Sequence, residues 1–293
     1  VLVLLAVFAA FYFGTTDFLC GTIDPWGRVL PLLFSDVTGM TRLEWIILQR
    51  GMFVFLGLGL VMLAMGMMPR LSERAGVTWK VRAGGWTFLL IGILFGGAYY
   101  SIFHELNNRR GLYREVFEKY AKVKGGHVKA HNIYFRQEGD KITGESDLVV
   151  ANVGGRPLVR PVLYLNPGLE VTALTGGQGE NLPYTRESQA ILLERALQPG
   201  EEILLHLVYE GKIDEAICFP DFTNEEFHDT RLMSFFRTYH SMFRHGRCFA
   251  RVGDDYTLLF PECLWYPVAV PPVNVNAPLA RQYDFTRYRL KVG

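Results

Sequence analysis

Two charge-free apolar stretches constrain this chain more than any other feature: Met52–Met68, 17 residues long, and Gly84–Phe103, 20 residues long. A helix needs about 20 such residues to cross roughly 30 Å of hydrocarbon, so each reads as a membrane span. Gly57, Gly59, Gly66, Gly92, Gly96 and Gly97 would weaken a soluble helix, whereas small residues let helices pack closely in lipid. Trp45, Trp79, Trp86, Tyr99 and Tyr100 fall near the ends, where amphipathic rings prefer the membrane interface. Val1–Phe13 is also uninterrupted apolar sequence, too short to span alone, and reads as the end of a third helix. It shows neither the basic flank nor the small-residue cleavage point of a signal peptide. With no leading Met, the chain reads as an internal excerpt of something longer.

The loops suggest an orientation. Arg70, Arg74, Lys80 and Arg82 against the single Glu73 mark the connector 69–83 as cytoplasmic by the positive-inside tendency. The segment after Phe103 then emerges on the other side, although Arg109, Arg110 and Arg114 just beyond it vote the other way. In the first loop, Ser35-Asp36-Val37-Thr38-Gly39 has the Asp and Gly of a turn at the membrane interface.

Beyond the spans the period changes. Leu106, Leu112, Tyr113, Val116, Phe117, Tyr120 and Val123 recur mostly at three and four, which predicts an amphipathic linker helix that Gly125-Gly126 ends. From there short strands are expected at 131–136, 147–152, 159–165, 169–174, 190–193, 202–209, 256–260 and 284–292. Such spacing argues a mainly antiparallel sandwich or an open curved sheet. One helical insertion interrupts it, Asn224–His245, with Leu232, Phe235, Phe236, Tyr239, Met242 and Phe243 along one stripe.

Composition narrows the function classes. Thirty Lys+Arg balance 29 Asp+Glu, which offers no general attraction to nucleic acid. Cys20, Cys218, Cys248 and Cys263 form no CxxC pair. His228, His240, His245 and Cys248 lie close in sequence but without zinc-ligand spacing, and read as histidines of a helix surface. Asp254-Asp255 reads as a turn, and Glu225-Glu226 near Asp229 as a helix N-terminus, rather than as acid–base pairs. Gly154-Gly155 and Gly176-Gly177-Gln178-Gly179 lack the Lys-Ser/Thr of a phosphate loop. Pro261, Pro267, Pro271, Pro272 and Pro278 predict an extended connector before the last strand.

Several of these segments, in this order, resemble bacterial ABC-type transporter permeases fused to an aminopeptidase N-like domain of the gluzincin metallopeptidases. The resemblance rests on Ser35-Asp36-Val37-Thr38-Gly39, Phe103-His104-Glu105-Leu106-Asn107, and Phe117, Glu118, Lys119 and Tyr120 in the membrane part and linker. In the soluble part it rests on Gly144-Glu145, Leu197-Gln198-Pro199-Gly200-Glu201, Tyr209 with Gly211, and Trp265, Tyr266 and Pro267. It implies a permease segment over 1–103, a linker helix over 104–126, and over 127–293 a β-sandwich or saddle like the domain that precedes the catalytic domain in aminopeptidase N. It also implies a bacterial inner membrane location with the β domain extracytoplasmic, and as partners the lipid bilayer, further permease helices and a separate ABC-type ATPase subunit.

The departures bear on activity. Gluzincins hold zinc with a His-Glu-x-x-His helix and a downstream Glu. Here His104-Glu105 begins such a motif, but Asn108 stands where the second His is needed. The Gly-x-Met-Glu-Asn exopeptidase signature is missing as well. No catalytic, cofactor or metal residue is therefore assigned, and zinc is expected only in a catalytic domain beyond this chain. The chain is expected to be a non-catalytic fragment supplying spans and a β scaffold. The alternative is a membrane-tethered β-sandwich binding or sensor module of an export complex.

Overall fold

The structure is a computed structural model, and it describes residues 22–24, 30, 34–35, 39–40, 42–68, 75–123, 125–217, 220, 250–253, 256–270 and 286–293. The expected first span, the helix 224–245 with its histidines and Cys248, the pair Asp254-Asp255 and the prolines 271–278 lie outside them. The chain forms two compact units, one made of residues 1–106 with 228–245 and the other of 107–227 with 246–293.

In the first unit, β1 (Phe34–Ser35) and β2 (Gly39–Met40) pair antiparallel, and the three residues between them, where the turn is expected, lie outside the described residues. Helix α1 (Leu43–Met67) begins after Arg42, whose φ of 63° places it in the left-handed region. Helix α2 (Ala75–Tyr120) is a single element. The sequence predicts a span up to Phe103 and an amphipathic linker helix leading out of it, and here the two are continuous. Nothing between Phe103 and Gly111 breaks a helix, and a lone glycine costs only about 1 kcal/mol, so the i→i−4 ladder runs on.

Both helices are long and apolar enough to cross a membrane, and only 17% and 22% of their most apolar windows are buried within the protein. A core helix of a soluble domain would be mostly covered. Here Leu60, Val61, Trp79, Trp86, Leu90, Ile93 and Leu94 stand exposed.

The two helices pack antiparallel, and glycine sets their separation. A Cβ on Gly59 would lie 2.9 Å from the carbonyl oxygen of Gly85, and a Cβ on Gly85 would lie 3.1 Å from that of Gly59. Leu56 seats against Gly92, Met52 against Gly96 and Leu63 against Gly85. Phe55 stacks on Phe88 at 5.9 Å and meets Phe95 edge-on at 5.3 Å. Where α1 ends, Arg82 Nε donates to the Gly66 carbonyl at 2.9 Å, satisfying one of the acceptors a helix C-terminus leaves over.

The second unit is built on strands β3 (His127–Glu138), β4 (Lys141–Ala151), β5 (Val162–Tyr164), β6 (Leu169–Gly176), β7 (Tyr184–Glu187), β8 (Ala190–Leu193) and β9 (Glu202–Gly211). A small antiparallel pair, β10 (Arg251–Val252) and β11 (Thr257–Leu258), forms a two-stranded sheet of its own that packs on the core through Val252, and β12 (Arg287–Val292) comes last. They form a five-stranded sheet in the order β12-β3-β4-β9-β6 and a three-stranded sheet in the order β5-β8-β7. Strict alternation over β4 and β9 turns Ile142, Leu148, Val150, Ile203, Leu205, Leu207 and Tyr209 inward, and leaves Glu145, Asp147, Glu202 and Glu210 outside. Among the described residues all pairings are antiparallel except one: β12 lies parallel to β3, so the sheet is mixed rather than wholly antiparallel.

Every residue of β5 and β8 is buried. Leu163, Leu165, Ile191 and Leu193 join the core shared with the five-stranded sheet. Val162, Tyr164, Ala190 and Leu192 form a second core on the other face, closed by Tyr113, Val116 and Tyr120 of α2. The unit thus has three layers, five-stranded sheet, three-stranded sheet and helix.

The glycine seam of the first unit generates a test. Replacing Gly59 with Val should lower the stability of the detergent-solubilised chain by about 1–3 kcal/mol, because a backbone oxygen must give way. Replacing Gly97 with Ala, where a Cβ meets nothing within 4 Å, should be neutral. Equal thermal melts for the two variants would remove the seam as the determinant of packing.

Candidate functional site

Phe117, Glu118, Lys119, Tyr120, Tyr209, Gly211, Trp265, Tyr266 and Pro267, which carry part of the family resemblance, fall at two places in the second unit, one on each side of the three-stranded sheet. The first is the face that α2 covers. The hairpin β7–β8 turns through Ser188 and Gln189, with Ser188 at φ 53°, a left-handed conformation that serine adopts at some cost. This tip is held down from the helix. Lys119 Nζ donates to Glu187 at 2.7 and 2.9 Å, and the Tyr120 hydroxyl donates to the same carboxylate at 2.5 Å. Gln189 Nε2 donates to the Tyr113 carbonyl at 2.6 Å. The bond from Lys119 holds the Glu187 carboxyl below its ordinary pKa, with the Tyr120 hydroxyl adding to the effect. Phe117 is half-buried beside these residues, and Glu118 is exposed and paired with Arg114 at 2.8 Å.

One turn and more earlier, Asp214 accepts from Arg109 at 3.0 Å and from the Tyr113 hydroxyl at 2.7 Å. Its own position is fixed by Asn166, which is completely buried. Asn166 Nδ2 donates to the carbonyls of Asp214 and Cys263 at 3.0 and 2.7 Å, and its Oδ1 accepts from the amides of Gly168 and Asp214, each at 2.9 Å. All four hydrogen-bonding positions of the amide are therefore used. This explains Gly211 as well: its φ is 146°, and a Cβ there would lie 2.2 Å from the Gly168 oxygen.

The second place is the interior between the sheets. Tyr209 is buried, and its ring occupies the space over Gly144, where a Cβ would lie 2.2 Å from Cζ. Its hydroxyl lies 3.4 Å from Ser146 Oγ, which shares a 3.0 Å hydrogen bond with His131 Nε2. Burial pushes the Tyr209 hydroxyl up to about 12 and the His131 imidazole down to about 4, against the opposing pull of Asp147. Tyr266 meets His131 edge-on at 5.5 Å, Trp265 meets Phe135 at 5.7 Å, and Tyr288 lies 5.7 Å from His131 on the open side. Pro267 is buried next to Val268, whose amide and carbonyl pair with those of Tyr164 at 2.9 and 2.7 Å.

Tyr266 thus contacts His131 directly and Tyr209 reaches it only through Ser146, while Lys119 and Tyr120 meet Glu187. A Ser–His contact invites a nucleophilic reading, yet Ser146 is wholly buried and the imidazole stays neutral. Its chemistry is internal polar satisfaction. His104, Glu105 and Asn108 all stand exposed on α2. Among the described residues no three His, Cys, Asp or Glu side chains come together. The sequence reading missed His131, Ser146, Asn166, Glu187 and Asp214. Asn166-Pro167-Gly168 carries an evident turn signal. The partners of the others are 15 to 105 positions away, as in the Arg109–Asp214 and His131–Ser146 contacts.

Both places can be tested by substitution. Replacing Asp214 with Ala leaves a tyrosine hydroxyl and an arginine without their acceptor and should cost about 1–3 kcal/mol, whereas Glu210→Ala on the exposed sheet face should cost almost nothing. His131 binds a proton below about pH 6.5 when unfolded but only near pH 4 when folded, so its contribution to stability is present above 6.5 and is lost as the pH falls toward 4. Denaturation at pH 7.5 and 4.5 should show a loss about 2–3 kcal/mol larger in the wild type than in His131→Gln. Equal losses would mean the imidazole is not held neutral.

Comparison with known proteins gives a partial likeness. No protein-family model matches the sequence, and no curated protein matches it. Among solved structures, the M1 zinc metallopeptidase from Deinococcus radiodurans matches 30% of this chain at 26% identity with a TM-score of 0.27. A mutant of it bound to a Tyr-Ser-Ala substrate gives the same values. A two-domain M1 zinc metallopeptidase mutant bound to L-tryptophan matches 31% at 25% identity with a TM-score of 0.28. The chain covers 21% of the length of each, so the solved structures to which it is similar are M1 zinc metallopeptidases, over a small part of each chain.

Proposed function

We propose that this chain is the membrane anchor and β scaffold of a metallopeptidase-type protein, catalytically inert by itself, in a bacterial inner membrane. The observation that carries the reading is helix α2, whose apolar stretch is long enough for a bilayer and whose last turns supply Tyr113, Val116 and Tyr120 to the second core of the β unit. The same element thus serves as a span and as a layer of the sandwich. The exposed apolar faces of both helices support the lipid bilayer as a partner. The basic connector 69–83 supports a cytoplasmic turn and an extracytoplasmic β unit.

The metallopeptidase part of the reading comes from the resemblance in the sequence, as does the permease context with its separate ATPase. Zinc belongs, on this reading, to a catalytic domain outside this chain, because the chain has no His-Glu-x-x-His helix. The sandwich would then act as a wall against which that domain is held. Its motif residues suit such a role, since Tyr209, Gly211, Trp265 and Pro267 all hold backbone and core in place.

The test expresses the chain in a bacterial inner membrane. It should resist alkaline carbonate extraction and be digested in its β unit only by protease added from the periplasmic side. Purified, it should hold far less than one zinc per chain and show no chelator-sensitive aminopeptidase activity. Release by carbonate would sink the anchor, and stoichiometric zinc with activity would sink the inert scaffold.

A further inference from the structure

Among the described residues strand β12 ends the five-stranded sheet with both faces exposed, and its two faces differ. Register partners in the sheet place Tyr288, Leu290 and Val292 beside His131, Ile133 and Phe135, the residues of β3 that face the core. The Tyr288 ring at 5.7 Å from His131 confirms the shared face. The three-stranded sheet leaves this continuation uncovered: Tyr288, Leu290 and Val292 are 52%, 56% and 67% exposed. Arg287, Arg289 and Lys291 occupy the other face, with Lys291 Nζ 5.6 Å from the Tyr134 ring. None of these three cations has an ion pair among the described residues. Among the described residues the nearest acids on that face, Glu145 and Asp147, stand on β4, two strands and about 10 Å away, somewhat more than a Debye length at physiological salt.

We propose that β12 is a docking edge for an extended acidic–apolar segment of a partner protein, which adds as a sixth strand. An edge strand presents unpaired N–H and C=O groups, and strand addition uses them for affinity while alternate side chains provide specificity. The two faces specify the alternation: apolar side chains of the incoming segment cover Tyr288, Leu290 and Val292, and its carboxylates meet Arg287, Arg289 and Lys291. A second copy of this chain is disfavoured as occupant, because pairing two β12 strands would set three cations against three like charges. Uncovered, such an edge is an aggregation liability that lysine and arginine moderate. The inference does not depend on the metallopeptidase reading.

The experiment titrates the detergent-solubilised chain with a fluorescent eight-residue peptide of alternating Glu and Val. Controls are a peptide of the same composition with all Glu in one block and an alternating Lys and Val peptide. The alternating acidic peptide should bind saturably, at least about tenfold more tightly than either control, and weaken with salt. Arg287→Glu with Arg289→Glu should lose that binding and acquire affinity for the Lys and Val peptide, a gain that an unfolded variant cannot give. Equal binding of the block peptide, unchanged binding to the doubly reversed chain, or peptide-independent dimerisation abolished by that reversal would each overturn the proposal.

Discussion

A sheet buried on both faces needs two apolar coverings, and the second unit is organised around that requirement. β5 and β8 expose nothing, so residues of opposite pleat on each strand must both find a core. One face finds the five-stranded sheet and the other finds the last turns of α2. Fully burying a Val or Leu contributes about 1.5–3 kcal/mol, so Val162 and Leu192 alone make the helix a necessary layer and not an appendage. The polar clamps at Glu187 and Asp214 then decide which way round the helix lies. Apolar burial has no direction of its own, whereas a carboxylate accepting from both a hydroxyl and a cation does.

Legibility in the sequence followed the range of the interaction. The apolar stretches, the amphipathic run to Val123 and most β strands are local patterns, and their counterparts appear as α1, α2 and the sandwich strands. The span and the linker helix run together as one element, because composition changes after Phe103 while helix propensity does not. The parallel placement of β12 could not be read either. A six-residue strand looks the same from its sequence whichever way its neighbour runs, and the choice is made by the chain that leads to it. The residues of the polar sites escaped for a related reason. Glu187 looks like any charged residue next to a hairpin, and only the helix 67 positions earlier makes it a clamp.

The motif positions illustrate how a residue can be recognised before its reason is known. Gly144 and Tyr209 are two halves of one arrangement, since the phenol ring needs the space that any side chain at 144 would fill. Gly211 needs its positive φ and its approach to Gly168, and Trp265 closes the sandwich over Phe135. Each is a packing reason, which fits a part whose work is to hold shape. The buried pair His131 and Ser146 fits the same view. On an inner face a lone imidazole would be costly, but one that is neutral and hydrogen-bonded is tolerated and fixes the local register against slippage.

Register is also what an edge strand transmits. A slip of one residue in β12 would turn Arg287, Arg289 and Lys291 toward the core-facing side and leave Tyr288, Leu290 and Val292 on the polar side. The Tyr288–His131 and Lys291–Tyr134 contacts on opposite faces oppose that slip, one through an aromatic contact and the other through a cation over a ring. The inner cluster and the edge strand therefore share a contact: the imidazole that burial keeps neutral is also the ring against which Tyr288 packs. A substitution at His131 would therefore reach the edge strand directly, by removing the inner half of the contact that opposes the slip.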